Sequence, residues 1–401
     1  MVSYKGVFCF FFGGLSHFLF SQQLVNTLYK IPETGITKGF TNVFGEDNDI
    51  TINQIILRNI NEHILIDSNT LLMWQRTDGG EMNYADAKKY CDTLSLGGYD
   101  DWRLPSPIEA YSILNFEKNN PALDPMFFKS TGAEYWYTSY TQNTDTNKVW
   151  VTNSGGGIGN HLRSETISMG GTKKFHVRAV RNTWTETISK RFVEMGGVFV
   201  KDSLSKFIWL VLPDSVKKTW EQALDFAISL SSAKCRLPNI KELQTLADYN
   251  KSLPCLDIKL FPSTSSSKYW SSSTLFNQTT KAWFLDAKFG ITTYLDKTTQ
   301  LNLALICDAT NQDKSAFFED VSLAIYPNPV DERLHIRVVN LTNDQVKIFN
   351  QMGQEISADF FEILETVNSE TVINLENLKQ GSYLLCVWNK FNWNRFHFVK
   401  I

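Results

Sequence analysis

The stretch that decides how this chain folds is Asp100 to Leu114, DDWRLPSPIEAYSIL, because it occurs twice. The second occurrence is Lys234 to Asp248, KCRLPNIKELQTLAD. Both copies predict the same local structure. Pro107 suits the first position of a helix, and Ser106 followed by Glu109 forms a capping box. Asn239 with Glu242 repeats the cap, so each Arg-Leu-Pro runs from extended chain into a capped helix. Ile108, Tyr111 and Leu114 in one copy, and Ile240, Leu243 and Leu246 in the other, give each helix an apolar stripe.

Working outward from these corners, further anchors recur in one order. Asp67 and Trp74 answer Asp202 and Trp209 at an offset of 135. A helix over Tyr84 to Leu94 answers one over Trp220 to Leu230, with apolar positions matched on one face. Asn83 and Thr219 are their expected caps, the latter with Gln222. Tyr135-Trp136 answers Tyr269-Trp270, Lys148-Val149-Trp150 answers Lys281-Ala282-Trp283, and a strand at Val177 to Val180 is matched with Leu305 to Asp308. The chain therefore contains a duplicated unit of two helices followed by short aromatic strands, an α+β pattern.

Composition agrees with folded, β-containing domains. The chain has 401 residues, 43% hydrophobic and 13% aromatic, enough for two or three domains. A net charge of −3 gives no field for nucleic acid, which is not expected as a partner. Lys5, the apolar run Val7 to Leu15 and the polar Ser21-Gln22-Gln23 predict a signal peptide over residues 1–22. The expected organisation is then unit 1 over 23–185, unit 2 over 186–310, a linker over 311–320 and a tail over 321–401. The tail alternates strand-like runs with turns and predicts a small antiparallel β-sandwich.

Five cysteines remain after the leader: Cys91, Cys235, Cys255, Cys307 and Cys386. An odd count leaves one unpaired. Cys91 on the first helix faces Ala179 in its copy's last strand, and Cys307 in the second unit's last strand faces Ala227 on its helix, so neither copy can make a helix-to-strand disulfide internally. Cys235 with Cys255 is the easiest pair, and buried free thiols are the alternative.

Arg103 and Arg236 beside the capped helices read as structural, paired with a carboxylate, and Glu109 and Glu242 as caps. The recurrent tryptophans read as core. The Gly-rich segment Asn153 to Gly171 lacks the residues of a phosphate loop and reads as a long surface loop. Its flanks gather His161, Arg163, Lys173, Lys174, His176, Arg178 and Arg181. That basic cluster could bind a sulfated polymer, and from it His161, Arg163, Lys173, Lys174, Arg178 and Arg181 are the candidate ligand residues. The acidic loop Glu46 to Asp49 has oxygen ligands but no complete calcium-loop spacing, so no metal is expected. No nucleophile with its base and no matched acid pair stands at a recognisable spacing, so neither catalysis nor a cofactor is expected.

Two family resemblances follow from quoted residues. Tyr326-Pro327-Asn328-Pro329, Val346-Lys347-Ile348-Phe349, Met352-Gly353-Gln354, Gly381-Ser382-Tyr383-Leu384 and Val399-Lys400-Ile401 resemble the type A sorting domain of type IX secretion substrates. The resemblance implies a Gram-negative cell, export through the type IX machinery, and release or attachment at the surface. Thr34-Gly35, Asp67 with Thr70 to Trp74, Gly97 to Pro105, Tyr135-Trp136 and Val177 to Arg181 resemble the Lcl C-terminal domain family. The second copy departs from it: eight residues between Leu94 and Arg103 become five between Leu230 and Arg236, and the terminal arginines are absent. The resemblance implies C-type-lectin-like folds and adhesion to an extracellular polysaccharide or a host or matrix polymer. A formylglycine-generating-type enzyme, using Cys235 and Cys255, and a purely structural surface module are the alternatives.

Overall fold

The computed structural model describes residues 24–401 except 130, 167–173, 196–198, 213–215, 231–233, 262–266, 309–324, 337–340, 342–344, 353, 365–370 and 389–392. The expected leader and linker lie outside the described residues. Among the described residues strands hold 38% and helices 12%, so the α+β pattern is strongly weighted to β.

The first unit contains β2 (Leu57–Asn59), β3 (Ile64–Asp67), β4 (Leu72–Gln75), α1 (Tyr84–Thr93), α2 (Pro107–Ser112), β5 (Tyr135–Gln142), β6 (Asp145–Asn153), β7 (Ile158–Leu162), β8 (Phe175–His176) and β9 (Val180–Asn182). Before it lies β1 (Leu24–Asn26), which pairs with β10 (Glu186–Ile188). The second unit repeats the order with β11 (Phe192–Glu194), β12 (Phe199–Asp202), β13 (Ile208–Val211), β14 (Lys217–Lys218), α3 (Trp220–Ser229), β15 (Cys235–Arg236), α4 (Ile240–Gln244), β16 (Lys268–Thr274), β17 (Lys281–Asp286), β18 (Ile291–Asp296), β19 (Leu301–Asn302) and β20 (Ala304–Cys307).

The helices form where their caps predict. Asn83 accepts from the Asp86 N–H, and Ser106 and Asn239 accept from the N–H groups of Glu109 and Glu242. Tyr84, Ala87 and Cys91 of α1 are buried, as are Trp220, Ala223 and Ala227 of α3. Each helix covers one face of its own unit's strands, giving two matched local cores.

The units are not beads on a string. One nine-stranded sheet runs β14-β19-β16-β17-β18-β7-β6-β5-β8, so the hairpins of both units are continuous through β7 and β18. The join is antiparallel, Thr292 opposite Ile158, and relates the halves by an approximate two-fold axis. The Gly-rich segment expected as a surface loop thus supplies the seam strand. Its sequence, Ile-Gly-Asn-His-Leu, has little strand propensity; the ladder with β6, five residues long, holds it as a strand, and Ile158 makes the contact across the seam.

Symmetry extends into the packing. Phe116 meets Trp283 edge-to-face at 5.3 Å, and Tyr249 meets Trp150 in the same way at 4.8 Å. Gly156 and Gly290, at φ +95° and +84°, let the chain pass those rings where a Cβ would lie 3.3 Å from Phe116 and 3.2 Å from Tyr249. One core joins Trp74, Tyr111 and Trp150 to Trp209, Leu243 and Trp283 across the seam. Residues 24–56 strap over both halves: Thr27 bonds Glu109, while Glu46 and Asp47 accept from Thr274 and Ser273.

The last-strand match needs correction by two residues. Trp74 pairs with Val180 and Trp209 with Ile306, so Val180 corresponds to Ile306 and Arg181 to Cys307. The two units share a further repeat: Pro121-Ala122-Leu123-Asp124 answers Pro254-Cys255-Leu256-Asp257, and the carbonyls of Asp124 and Asp257 accept from the N–H groups of Phe128 and Phe261.

The tail packs two antiparallel sheets around one core. One holds β21 (Ile325–Tyr326), β22 (Arg333–Ile336), β24 (Glu362–Ile363) and β25 (Thr371–Asn374). The other holds β23 (Val346–Asn350), β26 (Gly381–Trp388) and β27 (Trp393–Lys400). It is the sandwich that the alternation predicts.

Candidate functional site

The two Arg-Leu-Pro corners carry the same buried fork. Arg103 grips Glu109 through two bonds of 2.7 and 2.8 Å, and Arg236 grips Glu242 through two of 2.7 Å. The same glutamates cap their helices, accepting from the N–H groups of Ser106 at 2.7 Å and Asn239 at 2.9 Å. Burial pushes the Glu109 carboxyl up, but Arg103, Thr27 and the Ser106 N–H outweigh it and hold it below the usual range. These side chains are spent on the fold.

The predicted basic cluster is dispersed. Arg178 is 2% exposed, bonding the carbonyls of Gln75 and Arg76 and standing 3.6 Å from Asp78. Burial pulls Arg178 down to about 10. Asp78 also accepts from Thr131 and Trp136 and bonds His176 at 2.8 Å; these partners outweigh burial and hold it at about 2. Arg181 forks onto Asp101 and lies over Tyr99 at 3.9 Å. His161 packs on Tyr135 and meets Glu165 at 3.3 Å; Lys174 is half exposed and meets Glu81 at 3.6 Å. Arg163 lies over Tyr84 at 5.1 Å. Lys173 lies outside the described residues. Among the described candidates, Arg163 and Lys174 remain on the surface, and Arg178 leaves the cluster for the core because Asp78, invisible as its partner in sequence, lies opposite it.

The acidic loop also turns inward. Asp47 is buried, accepting from Thr34 at 2.8 Å and Ser273 at 2.5 Å, and burial raises it to about 7. Glu46 accepts from Thr274 and from the N–H groups of Phe40 and Thr41. Among the described residues no group of three His, Cys, Asp or Glu could hold a metal ion.

One open cleft lies at the seam. It measures about 290 Å³ and takes Phe116, Lys118, Asn119 and Asn153 from the first unit and Phe276, Asn277, Trp283 and Tyr294 from the second. Phe116 and Trp283 are buried; Tyr294 is 39% exposed and stands edge-on to Trp283 at 5.6 Å. No single-unit motif announces this site, because each copy contributes half of it. The nearest signal was the recurrence of Trp150 and Trp283, read as core.

Comparison with known families matches the Lcl C-terminal domain twice, over residues 63–181 and 198–307, more than half of the chain. The chain belongs to the Lcl C-terminal domain family. A secretion system C-terminal sorting domain matches residues 324–395. This tail directs the chain to the type IX secretion machinery, for secretion or display at the cell surface. No curated protein matches the chain. Among the described residues no helix is long and apolar enough to cross a membrane.

The two Lcl units close one corner differently. In the first, the loop through Tyr99 and Asp101 closes over Arg181. In the second, three loop residues are absent and the position of Arg181 is Cys307, bonded to Cys235 directly opposite on β15. The expected Cys235–Cys255 pair is therefore corrected: Cys307 bonds a strand cysteine, and neither unit makes the helix-to-strand bond. Cys255 sits where the first unit has Ala122, both fully buried, and burial pushes its thiol up to about 12. It acts as a small apolar residue.

Proposed function

We propose that the chain is a surface-displayed or secreted binding protein of a Gram-negative cell, whose ligand is a carbohydrate or another extracellular polymer. The supporting observation is the seam cleft: an open, aromatic and amide-lined site with no carboxylate in its walls, built on a rigid sheet that both units share. The C-type-lectin-like description of each unit belongs to this proposal. The enzyme alternative loses its premise, since Cys235 is bonded to Cys307 and Cys255 is a buried thiol.

The test is retention of the exported chain on immobilised polysaccharides, with elution by the soluble polymer. A chain that passes every such column, neutral and sulfated, would refute the reading. Deleting residues 324–401 is expected to leave the protein in the periplasm; unchanged export would refute the sorting role.

A further inference from the structure

We infer that the seam cleft binds an uncharged glycan, laid against aromatic rings from both Lcl units; this rests on the reading of the chain as a polymer-binding protein. The lining selects the ligand. Phe116 and Trp283 form an apolar wall, Tyr294 extends it to the surface, and Phe276, steadied edge-on by Phe40 at 5.8 Å, borders it. A sugar ring offers a face of C–H groups that gains by leaving water against such rings.

The rim of a sugar carries hydroxyls that both donate and accept. An amide matches that need, having a carbonyl and an NH₂ on one side chain. Asn119 and Asn277 are exposed at the cleft, and neither side chain holds a hydrogen bond among the described residues. They come from opposite units, so the ligand bridges the seam.

Charge narrows the class further. Lys118 is the one charged side chain among the described lining residues, and Lys281 lies 5.4 Å over the Tyr294 ring at the mouth. A sulfated polymer carries repeated negative charge and calls for several cations converging on it, whereas here the walls themselves are amides and rings. A cationic ligand would find no carboxylate to balance it. An uncharged strand loses nothing on either count, and the exposed mouth at Tyr294 and Asn277 lets a longer chain continue into solvent.

The experiment measures binding of the full exported chain to neutral polysaccharides (β-glucan, mannan, xylan and soluble chitin oligomers) and to heparin, at low and high salt. The expected result is binding to at least one neutral glycan, little changed by salt. Tyr294→Ala and Asn277→Ala should each weaken it about five- to tenfold while keeping the wild-type melting temperature. Neutral-glycan binding that survives both variants overturns the cleft while the polymer-binding reading stands. Binding to heparin alone, lost at high salt, overturns the uncharged class in the same way. Absence of binding to any polysaccharide overturns the polymer-binding reading itself, and the inference with it.

Discussion

Lys241 shows what a single residue can do at the seam. It occupies in the second corner the position of Ile108 in the first, and it is 2% exposed. Its ammonium donates to the carbonyls of Glu33 at 2.8 Å and Ser112 at 2.7 Å, tying strap, first helix corner and second unit together. Burial pulls its pKa down to about 7, against the attraction of Asp67, Asp47 and Glu33. Between about pH 7 and its ordinary value near 10.5 the unfolded chain therefore binds more protons, so this residue makes stability rise with pH across that window. Asp47 acts in the opposite sense. Its raised pKa makes the folded state bind more protons between about pH 4 and 7, so its contribution falls as pH rises through that range. Urea denaturation at a series of pH values should separate the two. Lys241→Met is expected to lose the alkaline rise, and Asp47→Asn the decline between pH 4 and 7. An alkaline rise that persists in Lys241→Met would mean that the ammonium is hydrated in the folded protein. Nothing in the sequence marked Lys241, because a lysine on a helix normally faces water, and the carbonyls that hold it come from segments 129 and 208 residues away.

At the scale of elements, the two units close the same corner by different means. The first uses a loop: Asp101 and Tyr99 hold Arg181, and Trp102 fills the space beneath. The second uses a covalent bond between β15 and β20. Both departures, the shortened loop and the missing arginine, were legible in the sequence, but as separate facts. The strand match stood two residues out of register because the copies share no side chain there that pins it; Trp74 and Trp209 pin it through the strands beside them. Chain entropy assigns the Cys235–Cys307 bond, with 72 residues between its ends, roughly 4 kcal/mol. Reduction should therefore lower the denaturation midpoint of the paired units substantially, and Cys235→Ser with Cys307→Ser should do the same without reductant. Arg181→Ala, which removes a half-exposed fork and one ring contact, should cost about 1 kcal/mol. Thiol titration of the unfolded, unreduced mature chain is expected to find Cys91 and Cys255 free. Detection of a free Cys235 would contradict the account of this corner.

At the scale of the whole molecule, duplication was legible but its consequence was not. Anchors within a unit repeat along the sequence, whereas the seam depends on which edges meet. Ile158–Leu162 looks like loop because its residues have little strand propensity; β6 pairs with all five of them, and β18 meets the strand at Ile158. The tryptophans read as core are core, yet Trp74, Trp136, Trp150, Trp209 and Trp283 belong to a core that neither unit owns. Trp150 packs on Tyr249 of the second unit, and Trp283 on Phe116 of the first. Separating the units would expose both pairs, open the sheet at β7 and β18, and leave Lys241 without its two carbonyls. Burying an aromatic side chain is worth about 1.5–3 kcal/mol, so the loss from these four rings alone rivals the whole stability of an ordinary domain. The halves should accordingly unfold together. Calorimetry of the mature chain is expected to show one transition for residues 24–308 and another for the sorting sandwich, whose core is separate. A first unit expressed alone as residues 24–185 should lack a cooperative melt. If it melts cooperatively at the temperature of the full chain, the seam is a contact between finished domains. The cleft would then lie between parts free to move, and the rigid, two-unit binding site would lose its physical basis.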